Sequence, residues 1–334
     1  MFARQDLARH RAGRTIGPMP SATPPELNPA QQRTLDALGA TGAERPLFPE
    51  ELAPRLRADL EAGLADAMAD LAPDEDLTIS KHLLGRVHGC EVRLLVEDAA
   101  DSPFVVSVPI ARGTIAHKAI ELGIHWRGEP LPLDLVDEAM ANLAGTDHWL
   151  TDFLQTCSEA ERAELRGSAA DRVAKFFETF PPLEARWRPV TESSQIVDLA
   201  GGRVRLRGKV DLTLGTARGL QAGKVVIDLK TGVPNPVHRD DLRFYALLDA
   251  LRLGTPPRLV ASFYLDLAEP RTEAVTEDLL DAAVARTVDG VRRLTALRAG
   301  TVEPVHRPSG ACRWCPHLAD CAPGREWLVD DIEA

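Results

Sequence analysis

An acid and a lysine two residues apart close the apolar run Val225-Val226-Ile227-Asp228-Leu229-Lys230, and Thr231-Gly232 turns the chain directly afterwards. Side chains alternate along a strand, so Asp228 and Lys230 share one face and Leu229 points to the other. A carboxylate can hold a divalent cation, and a lysine beside it can orient or deprotonate a water. Together they are equipped for metal-dependent phosphodiester hydrolysis. The chain carries only six lysines against 33 arginines, so a lysine at the end of a buried-looking strand does not serve generic solubility. A second acid, Asp211, ends the preceding strand pattern, and hairpin pairing would bring it within a few ångströms of Asp228. Glu192 lies one strand earlier and is a further acid for the same place. His117 and the pair Asp241 and Tyr245, four residues apart on one helical stripe, complete the candidates.

Stepping along the chain, Val204, Leu206 and Val210 alternate with arginines up to Asp211. Glycines at 215, 219 and 223 then mark a turn before the Val225 strand, which predicts a hairpin. Residues 239–253 read as a helix with Phe244, Leu247, Leu248 and Leu251 on one face and Gly254 ending it. Leu259, Ala261, Phe263 and Leu265 alternate in a further strand, and 276–299 is helical again. Upstream, two helical patterns fall near 30–39 and 49–71, and Ser80 is an N-cap for a helix from Lys81 to His88. Gly113 opens a helix with His117 in its first turns, and the helical pattern from Ala116 to about Phe180 breaks at 128–132, at Gly145 and at Gly167. Strands alternating with helices give an α/β class.

The 334 residues allow one large domain or two, and with 44% hydrophobic but 5% aromatic residues the core must be aliphatic. A net charge of −11 argues against a protein that coats nucleic acid over its whole surface. The stretch from Arg286 to Arg325 nevertheless carries seven arginines against three acids, a local excess of four. No apolar run approaches the roughly 20 residues that span a bilayer, and no secretory h-region follows the N-terminus. An arginine-rich leader can mimic a mitochondrial presequence, but the arginine- and alanine-rich composition favours a bacterial cytoplasmic protein with no membrane partner. Residues 1–30, basic and then proline-rich, read as an arm suited to docking a partner. Gly208-Lys209 is followed by valine and has no correctly spaced upstream glycine, so there is no phosphate loop.

The ordered set Gly113-x-x-x-His117, Glu192, Gly208-Lys-Val-Asp211, Ile227-Asp-Leu-Lys230-Thr-Gly232 and Asp241-x-x-x-Tyr245 resembles the RecB-like branch of the PD-(D/E)XK nucleases, across about residues 78–325. The resemblance implies a restriction-endonuclease-like mixed central sheet flanked by helices. It implies a nuclease domain over 76–325 with a helical insertion at about 118–185, preceded by an arm and helices over 1–75 and followed by a tail over 326–334. It further implies that His117, Asp211 and Asp228, with the backbone carbonyl of Leu229, hold Mg²⁺ or Mn²⁺. Lys230 would then activate the attacking water, while Asp241 and Tyr245 position substrate. Asp241 stands where the family usually carries glutamine.

Cys312-x-x-Cys315-x5-Cys321 gathers three of the five cysteines near the C-terminus. Close thiolates on a turn can grip a metal or a cluster but leave a tetrahedral set one ligand short. Candidates for the fourth position are Cys90, Cys157 and His317. In a cytosolic chain a disulfide is the weaker reading. The segment Thr78-Ile-Ser80…Leu84…His88-Gly-Cys90 is similar to the opening of the nuclease domain in iron–sulfur members of the same family, AddB-type helicase–nuclease subunits and CRISPR-adaptation exonucleases. That likeness selects Cys90 and implies a [4Fe–4S] cluster joining the two ends of the domain; zinc remains the alternative, since spacing does not separate the two. Cys157 then reads as a small buried hydrophobe. The expected activity is metal-dependent hydrolysis of DNA, as an exonuclease on single-stranded or end-containing substrates in repair, recombination or defence. The alternative is a non-catalytic DNA-binding or scaffold subunit beside a helicase or other repair or defence subunit.

Overall fold

The computed structural model describes residues 26–39, 44–69, 71, 75–99 and 107–333; most of the proposed N-terminal arm lies outside them. The chain runs α1 (Pro29–Ala37), α2 (Leu52–Ala69), β1 (Leu77–Ser80), α3 (Lys81–His88), α4 (Glu91–Ala99), α5 (Val108–His125), α6 (Pro132–Ala144), α7 (His148–Thr156) and α8 (Glu159–Thr179). It continues through β2 (Val190–Leu199), β3 (Val204–Leu214), β4 (Val225–Lys230), α9 (Val237–Leu253), β5 (Leu259–Tyr264), β6 (Glu269–Ala274), α10 (Glu277–Arg298) and α11 (Ala322–Glu333). Single turns of 3₁₀ helix, Gly310–Trp314 and Leu318–Asp320, carry the late cysteines. Among the described residues no helix is long and apolar enough to cross a membrane.

Six strands form one mixed sheet in the order β1-β3-β4-β5-β6, with β2 also on β3. Pairing is antiparallel for β2–β3, β3–β4 and β5–β6 and parallel for β1–β3 and β4–β5. β2 covers β3 from Val204 to Thr213. The rest of β3 is shared: β1 pairs with Val204 to Arg207, and β4 pairs with Leu212 to Leu214. β1 runs with β3 and β4 runs against it on the edge opposite β2, so their C-terminal ends approach each other over the stretch 208–211, which pairs with neither of them. That opening is where the strand-end charges meet.

Two helical layers bury the sheet. On one side Leu56, Leu60 and Leu64 of α2, Leu84 of α3, Leu247 and Leu248 of α9 and Leu280 and Val291 of α10 pack with Ile79, Leu206 and Val226. On the other, Ile115 and Ile120 of α5, Leu135 of α6 and Phe176 of α8 pack with Leu212, Ile227 and Phe263. β3 changes layer within its own length: Val204, Leu206 and Val210 join the first core, Leu212 and Leu214 the second. Asp211 sits at that crossing. α2 contributes Leu56, Leu60 and Leu64 to the same core as the sheet.

The hairpin, the helix ended by Gly254 (φ 81°) and the Ser80 cap on Leu83 N (3.2 Å) are as the sequence predicts. Two glycine readings are corrected. The helix bearing His117 begins at Val108, where Pro109 in the first turn favours helix entry, so His117 lies in mid-helix rather than in the first turns. Gly167 does not break α8, which runs unbroken over Glu159–Thr179; a capping box at Ser158 and buried Leu165, Ala169, Val173 and Phe176 outweigh the roughly 1 kcal/mol cost of one interior glycine.

Candidate active site

Asp228 and Lys230 leave the end of β4 on the face toward α3 and α9. Asp228 is 2% exposed, and its two oxygens meet two lysines: Oδ1 accepts from Lys81 Nζ at 2.7 Å, and Lys230 Nζ stands 2.8 Å from Oδ2. The second contact is off the hydrogen-bond axis, so Oδ2 is buried with a charge beside it and no hydrogen bond. Lys230 also donates to Asp241 Oδ2 at 2.8 Å, and Lys81 lies 3.7 Å from the same oxygen. Two lysines and two aspartates thus close a four-membered ring of alternating charge.

The ring is built on a shelf. At Gly208 an added Cβ would stand 2.7 Å from the Tyr245 ring, so only glycine lets that ring lie against β3. The Tyr245 hydroxyl donates to Lys209 O at 2.5 Å, and Lys81 Nζ crosses the ring face 4.7 Å from its centroid.

The other half of the site hangs from α5. Gly113 passes so close to Thr231 that a Cβ there would be 3.0 Å from Thr231 Oγ1, which seats the helix on the turn after β4. One turn on, His117 Nδ1 is 3.5 Å from Asp211 Oδ1. Asp211 Oδ2 accepts from Leu229 N at 2.7 Å, a side chain replacing the ladder partner where β4 leaves β3. Glu192, at φ +51° on β2, faces Asp211 across the strands but is ion-paired with Lys209. His117, Asp211, Asp228, Leu229 and Lys230 line one open cleft of about 460 Å³, with Lys81 on its wall. Glu192, Asp241 and Tyr245 support the cleft from outside that lining.

Burial raises the Asp228 carboxyl, but Lys81 and Lys230 outweigh it and hold it down to about 2. Burial pushes the Lys230 and Lys81 amines down; the Asp228 carboxylate, with Asp241, overrides that and raises both. Lys230 therefore stands as an ammonium, suited to orienting a water rather than deprotonating it. At His117 burial opposes the charged imidazole, and Asp211, with Asp228 and Glu192 behind it, lifts its pKa above the ordinary value. Burial, with Asp228 and Asp211 next, raises the Tyr245 phenol, which keeps its proton.

In kind, two carboxylates, an imidazole and a buried carboxylate oxygen lacking a hydrogen bond fit a hard divalent ion. In arrangement, His117 is paired with Asp211 and Asp228 with the two lysines, and among the described residues no three His, Cys, Asp or Glu side chains are gathered to hold a metal.

All five cysteines are free. A Cβ at Gly324 would stand 3.2 Å from Cys321 Sγ and 3.5 Å from Cys312 Sγ, so both thiols border this glycine. Cys312 Sγ accepts from Ser309 N, Cys321 Sγ from Gly324 N (both 3.4 Å), and His306 Nδ1 is 3.7 Å from Cys321 Sγ. Cys315 follows Cys312 on the same turn, its N–H donating to Cys312 O at 3.0 Å. The flanks of Cys90 are tied to the same region: Glu91 N donates to Val305 O at 3.1 Å, Arg307 to Gly89 O at 2.8 Å and Arg93 to Ala311 O at 3.0 Å. Cys157 packs at the edge of the second core, as expected of a small hydrophobe.

Sequence reasoning passed over Lys81, Glu91 and His306. The signal for Lys81 was available: lysine is as rare at residue 81 as at 230. Nothing in the sequence distinguishes Glu91 from any other helix-opening acid.

A mixed sheet between helical layers, with strand-end acids and a lysine in one cleft, defines a nuclease-type α/β protein. Residues 81–322 match the profile of the PD-(D/E)XK nuclease superfamily, and the chain belongs to that superfamily, whose nucleases are hydrolases of phosphodiester bonds. Among solved structures, 16 chains match. One, from Eubacterium rectale, is named "Putative exonuclease": 14% identity, 79% of this chain and 91% of that one covered, TM-score 0.44. Another, SSO0001, is 15% identical over 80% of this chain and 95% of its own, with TM-score 0.32. Rai1 of Scheffersomyces stipitis is 10% identical over 77% and 70%, with TM-score 0.26. No curated protein matches the chain.

Proposed function

We propose that the protein is a RecB-like, Mg²⁺- or Mn²⁺-dependent deoxyribonuclease, acting as an exonuclease on single-stranded or end-containing DNA in bacterial repair, recombination or defence. The observation that carries this reading is the cleft shared by His117, Asp211, Asp228 and Lys230. His117, Asp211, Asp228 and the Leu229 carbonyl would hold the ion, which would polarise the scissile phosphate and neutralise the leaving oxygen. Lys230, kept charged by Asp228 and Asp241, aligns the attacking water. Asp241 fixes Lys230 from behind, and Tyr245 braces the shelf beneath it. Glu192, across from Asp211, holds Lys209 at the rim.

The late cysteines support a second resident group, a [4Fe–4S] cluster on Cys90, Cys312, Cys315 and Cys321, with zinc as the alternative. Convergence of Cys312 and Cys321 at Gly324 and the tie between the Cys90 flanks and residues 305–311 favour it. Metal, iron and acid-labile sulfide analysis of anaerobically purified protein decides between the two.

One observation favours a non-catalytic, DNA-binding scaffold beside a helicase: each oxygen of Asp228 already has a lysine ammonium within 2.8 Å. The deciding experiment is cleavage of end-labelled single- and double-stranded DNA in Mn²⁺ by wild type and Lys230→Ala. Cleavage that vanishes in the variant upholds the nuclease, and its product ladder gives polarity. A folded, metal-loaded wild type that leaves DNA intact establishes the scaffold.

A further inference from the structure

The occupied Asp228 can be read through Lys81. This residue opens α3 directly after the Ser80 cap, so its backbone is fixed by β1 behind it and the helix ahead. Its side chain is the free part, and it leaves β1 across the 208–211 stretch of β3, over the Tyr245 ring, to reach Asp228 Oδ1. The two lysines of the ring are not equivalent. Lys230 has both acids at 2.8 Å and is 13% exposed. Lys81 has Asp228 at 2.7 Å but Asp241 only at 3.7 Å, and it is 24% exposed, on the wall of the cleft. If an incoming cation takes an oxygen of Asp228, Lys230 keeps a full partner in Asp241. Lys81 keeps only the distant one. The lysine that must leave is therefore Lys81, and the Tyr245 face keeps its ammonium within the cleft when it does.

We propose that Lys81 is a substrate-positioning residue: it occupies Asp228 in the resting protein and, once a divalent ion takes that carboxylate, is released to a phosphate of the nucleic-acid strand in the cleft. This rests on the nuclease reading of the cleft. It also turns the feature that favoured a scaffold into part of the working cycle, since a carboxylate 2% exposed needs a counter-charge whenever the ion is away. Coupling between two sites is reciprocal, so metal and nucleic acid each strengthen the binding of the other, and Lys81 carries part of that coupling.

Two binding measurements test it without turnover. Calorimetric titration of Mn²⁺ into Lys81→Met should show affinity raised by about tenfold, because one competing cation is gone from Asp228. Anisotropy of a labelled single-stranded oligonucleotide should show wild type gaining affinity when Ca²⁺ is added, and Lys81→Met gaining about tenfold less, the share of one phosphate contact. Without divalent ion the difference between the two proteins should be smaller than with Ca²⁺, since Lys81 is then engaged by Asp228. Lys81→Arg should restore the calcium-dependent gain. A lysine that merely braces the fold would weaken both proteins' difference to nothing with Ca²⁺ or lower affinity equally with and without it. Either result, or Mn²⁺ bound no tighter by the variant, overturns the proposal. If Lys81→Met does not fold, Lys81→Gln takes its place. Wild type that shows both binding effects yet never cleaves DNA refutes catalysis in the cleft but not its binding of cation and strand, which is the part of that reading the handover needs; cleavage without these binding effects refutes the handover alone.

Discussion

Glu91 opens α4 with its side chain 1% exposed, yet four donors fill its carboxylate. Arg293 gives two bonds, Nε to Oε1 at 2.9 Å and a terminal nitrogen to Oε2 at 2.5 Å; Val305 N reaches Oε2 at 2.9 Å, and Arg307 reaches Oε1 at 3.0 Å. One acid thereby fastens α4 to α10 and to the segment that leads into the late cysteines. Arg293 is the main cause, with Val305 N and Arg307 adding to it against burial, and together they bring the carboxyl down to about 2 from an ordinary 4.5. A folded-state pKa below the unfolded one means stability that is fully present above the unfolded value and lost as pH falls toward the folded one. At about 1.36 kcal/mol per unit, that shift corresponds to about 3 kcal/mol near neutrality. Arg293 and Arg307 are 27% and 46% exposed, so solvent screening brings the expectation to about 2 kcal/mol. Glu91→Gln keeps the shape and removes the charge. In urea unfolding followed by tryptophan fluorescence it should be about 2 kcal/mol less stable than wild type at pH 7, with the gap closing between pH 4.5 and pH 2. Other carboxylates titrate there too, but they are common to both proteins and drop out of the difference. A gap under about 0.5 kcal/mol at pH 7, or one that stays constant with pH, would refute the account of Glu91 as the clasp.

Lys230→Ala should lower DNA cleavage by at least about 100-fold while its thermal melt stays near wild type, since Lys81 still neutralises Asp228; cleavage rates and circular dichroism check the two halves. Gly208→Ala places a methyl 2.7 Å from the Tyr245 ring and 2.9 Å from Leu248, so it should cost about 1–3 kcal/mol in chemical denaturation and displace the shelf under Lys81. On the proposed cluster, Cys321→Ser should lose bound iron in metal analysis and lower the melting temperature more than the initial cleavage rate, because no cysteine lines the cleft of Asp228.

The strand bearing Asp228 and Lys230 was legible as a candidate because its pattern is local. Two-residue periodicity alone puts Asp228 and Lys230 on one face, and a glycine-rich turn alone predicts the hairpin that carries Asp211. His117 was legible as a candidate, although the start of its helix was not: the entry at Pro109 lies one turn before Gly113, and the glycine was taken for the opening instead. The rarity of lysine could have singled out Lys81, but its place in the site was hidden for a different reason. Its partner Asp228 is 147 residues away, and the contact exists only because a short parallel strand, β1, lies on the outer end of β3 while β4 lies on the inner end. Periodicity within β1 or α3 carries no trace of that adjacency. Glu91 was hidden likewise, its donors lying about 200 residues on. Gly208 was noticed as part of a motif, but its reason, the Tyr245 ring lying flat on the strand, belongs to packing between β3 and α9.

The ring of Lys81, Asp228, Lys230 and Asp241 is hard to justify as a device for holding the fold together. Desolvating four charges is expensive, and a buried ion pair replaced by well-packed apolar side chains is often neutral or stabilising. Apolar side chains pack at the same junction: Ile227 and Leu229 flank Asp228 in β4, and Leu242 and Phe244 follow Asp241 in α9, all buried. A purely structural solution at this junction was within reach of aliphatic residues the chain uses everywhere else. It instead spends two of six lysines here, where arginine would supply the same charge. Arginine's planar fork would lock both carboxylates in bidentate pairs, whereas an ammonium on a flexible stem makes contacts that can be exchanged. The choice of lysine at both positions therefore argues for carboxylates that must be surrendered and regained, which is what a centre that takes up a cation and a phosphate requires.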